Sequence, residues 1–161
     1  MDGCRSSLSL LLGLSFGLWD GADACQLKAI TEVDCPPGWT WFERRCYIFV
    51  KVKKSWAEAE NDCLSMNGNL ASFHSSNDYY FLKHLVYRTT GKDTRSWIGG
   101  HSALIEGIWF WSDGSKFVFN SWTRNNTSDG KRCMDINIAG QTLLSGADCY
   151  TTLPYICARD P

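Results

Sequence analysis

The sequence predicts an α+β domain with its helices early and its strands late. Two segments between residues 55 and 91 carry helical periodicity. Later apolar residues sit in short aromatic runs of strand type, Trp97-Ile98-Gly99-Gly100 and Trp109-Phe110-Trp111-Ser112-Asp113-Gly114. Seven cysteines lie beyond residue 24: Cys25, Cys35, Cys46, Cys63, Cys133, Cys149 and Cys157. In an exported chain they form a disulfide framework, and the absence of any Cys-x-x-Cys pair argues against zinc.

The chain has 161 residues and a formal net charge of -1, with 14% aromatic and 20% charged residues. That length predicts one domain with a full core. The near-neutral charge gives no electrostatic case for nucleic acid, and no apolar run is long enough for a membrane span. Arg5, the apolar stretch Leu8 to Trp19 and Ala22-Asp23-Ala24 read as a signal peptide over residues 1–24. A lipoprotein signal ahead of Cys25 is the alternative, and Ala22 and Asp23 fit it poorly. Residues 25–34 form a polar lead.

In chain order, Cys35-Pro36-Pro37-Gly38-Trp39 is a turn-rich entry, and Trp39, Trp41 and Phe42 begin a strand. Cys46-Tyr47-Ile48-Phe49-Val50 is the next strand. Ser55 with Glu58 is a capping box, and Trp56, Ala59 and Cys63 then share one helical face. Asn67-Gly68 ends that helix in the manner of a C-terminal glycine. Leu70-Ala71-Ser72-Phe73 is a short strand. Ser75-Ser76-Asn77-Asp78 opens a second helix, with a stripe of Phe81, Leu82 and Leu85 and a stop at Gly91.

Trp97-Ile98 enters the core, and Gly99-Gly100 marks a bulge or a close backbone approach where the strand leaves sharply. Trp109 and Trp111 share a strand face, and Asp113-Gly114 turns the chain. Phe117-Val118-Phe119 follows. The stretch from Trp122 to Arg132 is a long polar loop. Cys133 to Ile138 alternates as a strand, Ala139-Gly140 turns it, Leu143-Leu144 is a weak return, and Tyr155-Ile156-Cys157 is the last strand.

These pieces together resemble the C-type lectin-like domain, over residues 35–159. Cys35-Pro36-Pro37-Gly38-Trp39, the Trp56-Ala57-Glu58-Ala59-Glu60 helix with Cys63, Leu70-Ala71-Ser72, Trp97-Ile98-Gly99-Gly100, the Trp109 run, Trp122 and the last three cysteines carry the resemblance. It is strongest to the secreted fish group of mucus and serum lectins, nattectin-like lectins and type II antifreeze proteins, which includes calcium-independent lactose binders. The resemblance implies bridges Cys35–Cys46, Cys63–Cys157 and Cys133–Cys149. Cys25 is left over, and an odd cysteine in an exported chain points to an interchain bond and a homodimer.

Calcium-dependent members of that family hold the ion with a proline-containing triplet after the tryptophan, a carboxylate two residues before the third cysteine, and a Trp-Asn-Asp triplet before the fourth. Here the first position reads Asn126-Thr127-Ser128, the second is Lys131, and the third is Leu144-Ser145-Gly146. Calcium needs six to eight oxygen ligands, and an ammonium repels it. No metal or other cofactor is therefore expected. Asn125-Asn126-Thr127 and Asn126-Thr127-Ser128 are overlapping glycosylation sequons.

The resemblance implies a secreted, calcium-independent lectin for galactose- or lactose-type glycans on microbial or host surfaces, acting in mucosal defence. Candidate sugar ligands are Asn125, Asn126, Asp129, Lys131 and Arg132, with Trp122 as an aromatic face or, alternatively, a core tryptophan. Two other functions compete. One is ice binding, as in type II antifreeze proteins, whose extra cysteines are replaced here at Ala103-Leu104 and Trp122-Thr123. The other is protein binding as a disulfide dimer. Catalysis is not expected, because His74, His84 and His101 are scattered and belong to no nucleophile or metal motif.

Overall fold

The computed structural model describes residues 35–102, 104–105, 108–118, 131–137 and 145–161. The expected signal segment and Cys25, the loop residues Trp122, Asn125, Asn126 and Asp129, and the Leu143-Leu144 return lie outside these residues.

Strand β1 (Thr40–Phe42) turns directly into β2 (Arg45–Lys54), followed by helix α1 (Trp56–Ser65), β3 (Asn69–Leu70) and helix α2 (Ser76–Thr90). The chain continues through β4 (Ser96–His101), β5 (Phe110–Trp111), β6 (Lys131–Ile136), β7 (Ser145–Asp148) and β8 (Leu153–Arg159). The sheet order is β1-β2-β8-β4-β6-β7, with β3 also on β8 and β5 also on β4. β8 returns beside β2, pairing Cys46 with Arg159, so both ends of the described chain meet. β4 runs parallel to β8 at Trp97 and Tyr155, and this contact joins the terminal strands to β6 and β7.

Both helix starts follow from their caps. The Glu58 carboxylate accepts the Ser55 backbone N–H at 3.0 Å, and Asp78 accepts that of Ser75 at 3.0 Å. α2 buries Tyr79, Leu82, Leu85 and Val86. Its Phe81 ring stacks on Phe42 at 4.1 Å. One core cluster gathers Phe49, Phe73, Leu82, Ile98, Trp111 and Ile156. A second gathers Leu70, Trp97, Cys133, Tyr155 and Cys157 under α1.

The three disulfides implied by the resemblance are present: Cys35–Cys46, Cys63–Cys157 and Cys133–Cys149. Cys63–Cys157 closes a sequence separation of 94 residues. Loop-entropy models assign a closure of that length roughly 4–5 kcal/mol.

Several expectations need correction. The left-handed residue after α1 is Asn67, at φ 59°, and not Gly68. Gly68 is needed for another reason: a Cβ there would sit 2.4 Å from the Ala158 carbonyl oxygen. The strand expected over Leu70–Phe73 is the two-residue β3, although Ala71 still donates to Ile156 O at 2.8 Å and accepts from Gly99 N–H at 2.9 Å. β4 does not leave at its glycines but runs on to His101. Gly99 is a close approach, since a Cβ would lie 2.6 Å from the Leu70 carbonyl oxygen and 2.7 Å from Ser112 Oγ. The β4–β6 register also shifts between Trp97 and His101. Residues 115–118 form no strand.

Candidate functional site

The described part of the candidate site is the mouth of β6 and β7, from which the long loop springs. β6 begins with Lys131 and Arg132 exposed and then buries everything from Cys133 to Ile136. The pattern follows from position: past its first two residues β6 lies between β4 and β7. Lys131 pairs in register with Asp148, and Cys133 pairs with Ala147. The Arg132 carbonyl accepts the Ser102 N–H at 2.9 Å, which ties the rim to the end of β4. The Cys133–Cys149 bridge, with Cα atoms 5.1 Å apart, staples the base.

Trp56 joins this base to α1. Its backbone N–H donates to the Cys149 carbonyl at 2.9 Å. Its indole N–H donates to the Ile98 carbonyl at 2.9 Å. Its ring lies 5.3 Å from the His101 imidazole, which also neighbours Phe110. Burial holds His101 below its usual range, outweighing the Glu60 charge, so the ring is neutral at physiological pH. His101 was expected only as a scattered histidine; it is part of the aromatic support under the rim. Leu104, Ile105 and Ile108 are exposed in the excursion between β4 and β5.

The inner end of β6 carries polar residues where alternation predicted a half-buried strand. Asp135 is fully buried and Asn137 nearly so. Asp135 pairs with Arg95, whose side chain is 42% exposed. Asn137 adopts φ 66° and donates from Nδ2 to the Thr94 carbonyl at 3.2 Å. Together they fasten β6 to the segment before β4. Sequence reasoning missed both roles, and the signal available was a carboxylate and an amide within an otherwise apolar strand.

Asp113 fixes the turn after β5. It accepts Arg45 at 3.2 Å, Ser115 N–H at 3.0 Å and the Ser72 hydroxyl. Burial pushes the Asp113 carboxyl up, but the bonds from Ser115 and Ser72 and the Arg45 charge outweigh it and hold the group below the usual range.

The donor chemistry of the described rim does not fit a calcium shell. Lys131 brings an ammonium where calcium-dependent C-type lectins are expected to have a carboxylate, and Gly146 brings no side-chain oxygen. The Asp148 carboxylate already accepts the Tyr150 N–H at 3.0 Å. Among the described residues no group of three or more His, Cys, Asp or Glu is arranged to hold a metal. Of the six candidate sugar ligands, the structure places Lys131 and Arg132 together on the rim; Trp122, Asn125, Asn126 and Asp129 lie outside the described residues.

Two helices, a mixed sheet whose last strand returns beside β2, and three bridges define a C-type lectin-like fold. The chain belongs to the lectin C-type domain family, whose model matches residues 52–159. It is 37% identical to the galactose-specific lectin nattectin of Thalassophryne nattereri over 78% of this chain and 80% of that one. It is 38% identical to the lactose-binding lectin l-2 of Anguilla japonica, over 94% of this chain and 87% of that one. Among solved structures it resembles a Ca2+-dependent type II antifreeze protein with a TM-score of 0.71 and 32% identity, over 78% of this chain and 99% of that one. Among the described residues no helix is long and apolar enough to cross a membrane.

Proposed function

We infer that the chain is a secreted lectin that binds galactose- or lactose-type glycans without calcium and acts in defence at mucosal surfaces. The single observation that carries the sugar reading is its likeness, over 94% of its length, to the lactose-binding lectin l-2. The metal-free reading is supported by Lys131 and Gly146, which replace oxygen donors at the rim with a cation and a bare backbone. Without an ion, sugar hydroxyls are held by direct hydrogen bonds from Asn125, Asn126, Asp129, Lys131 and Arg132, with Trp122 as the apolar face. The protein binds its ligand and does not transform it. Residues 1–24 are removed as a signal peptide, residues 35–159 form the lectin domain, and Cys25 links two copies.

The test is calorimetric titration of lactose into the wild type and the variant Lys131→Ala/Arg132→Ala. Loss of two charged donors weakens binding about a hundredfold or more if each contributes a charge-assisted bond of about 1.5 kcal/mol and the two effects add. Unchanged affinity in the variant would refute the rim as the sugar site.

Ice binding is the second reading, favoured by the likeness to the type II antifreeze fold. Thermal hysteresis at millimolar protein decides it directly.

A further inference from the structure

The face of α2 turned away from the core presents Asn77, Tyr80, His84 and Tyr87, spaced by three and four residues and therefore aligned in one strip. Tyr80 is 62% exposed and Tyr87 54% exposed, although both are large aromatic residues. Two open hollows flank the strip. One, of about 390 Å³, is bounded by Phe42, Glu43, Asn77, Tyr80, Phe81 and His84. The other, of about 360 Å³, is bounded by Tyr80, Lys83, His84, Tyr87 and Asp93. Tyr80 and His84 belong to both, so the hollows are two cells of one trough. From Asn77 to Tyr87 the helical rise gives it a length of about 15 Å.

Each cell combines aromatic surface with a carboxylate and a nitrogen donor. The first has the Phe42–Phe81 stack, a carboxylate at Glu43 and an amide at Asn77. The second has Tyr87, a carboxylate at Asp93 and an ammonium at Lys83. Glu43 is placed by a strained turn. Phe42 pairs with Arg45, so Glu43 and Arg44 alone make the hairpin turn, at φ 42° and φ 70°. Such a turn favours Asn-Gly, and residues other than glycine or asparagine are strained there. Strain of this kind clusters at ligand clamps.

We propose that this trough is a second, metal-free saccharide site that takes a two-residue neutral glycan segment. The apolar faces of the sugar rings lie on the aromatic side chains, and their hydroxyls donate to Glu43 and Asp93 and accept from Asn77 and Lys83. Among the described lining residues, two carboxylates against one ammonium disfavour an anionic ligand. Among the same residues the apolar surface is aromatic and not aliphatic, which disfavours a lipid chain. The trough lies on α2, and among the described residues its lining includes none of β6 or β7. One chain then carries two sugar sites and cross-links glycan-coated surfaces without an interchain bond.

The test is an NMR titration of the 15N-labelled protein with lactose. The expected result is saturable shifts of the Asn77, Tyr80, His84 and Tyr87 amides that persist in Lys131→Ala/Arg132→Ala. In Tyr80→Ala/Tyr87→Ala, whose replaced side chains are exposed, the α2 response weakens at least tenfold while the β8 amides stay in place. Glu43→Gln keeps the aromatic surface and weakens the response several-fold. Shifts confined to β4, β6 and β7 overturn the trough and leave the rim reading standing. Shifts nowhere overturn the trough and the rim together, and an α2 response unchanged by the tyrosine variant overturns the trough.

Discussion

The backbone N–H of Trp56 donates to the carbonyl of Cys149 at 2.9 Å. The first turn of α1 is thereby fastened to the bridge at the base of the long loop. The same residue reaches β4 through its indole, so one tryptophan spans helix, disulfide and sheet. Trp56→Phe keeps an aromatic, smaller ring and removes the indole donor, leaving the Ile98 carbonyl without it. The expected cost is about 1 kcal/mol in urea unfolding. Retention on lactose resin falls with it, because the rim shares that support.

Arg95 neutralises the buried carboxylate of Asp135. Removing one partner of a fully buried pair costs about 3–5 kcal/mol. The Arg95 side chain is 42% exposed, so water offsets part of the loss. Arg95→Ala is therefore expected to cost about 2 kcal/mol. Arg95→Ala/Asp135→Asn is expected to recover part of it, since the neutral amide no longer needs the cation. Thermal unfolding of the single and double variants measures both effects.

The Cys133–Cys149 and Cys35–Cys46 bridges close separations of 16 and 11 residues. Loop entropy assigns each about 3 kcal/mol. Replacing either pair with alanine is expected to lower the melting temperature by a similar amount. Only the loss of Cys133–Cys149 is expected to abolish lactose retention at a temperature where both variants remain folded. Equal retention by the two would separate the bridge from binding.

Asp113 sets part of the acid limb of stability. Its folded carboxyl lies below the usual range, so the unfolded chain takes up the proton first as pH falls. Its contribution is complete above about pH 5 and is lost as pH falls through about 4 and below. Asp113→Asn is expected to be less stable at pH 7 and to lose less stability on acidification, as read from urea midpoints across that range.

The helix starts were legible because Ser55 with Glu58 and Ser75 with Asp78 carry their own capping chemistry. The bridges were legible only through the resemblance, since spacing alone leaves the pairings open. Asn67 and Gly68 were read in the wrong roles because a close approach to Ala158 depends on a strand ninety residues away in sequence, which local pattern does not register. β6 was read as half-buried because alternation describes one strand, whereas burial depends on both neighbours in the sheet. Within the candidate site, the exchange of a carboxylate for Lys131 was visible in the sequence, and its place at the start of β6 came from the fold. The Tyr80-His84-Tyr87 strip was present at helical spacing, but tyrosine and histidine do not declare which face they take.

Metal-free sugar binding is tested most directly by retention of the purified protein on lactose-agarose in the presence of EDTA. The expected result is retention that EDTA leaves unchanged and that free lactose reverses. Retention abolished by EDTA and restored by calcium would contradict it.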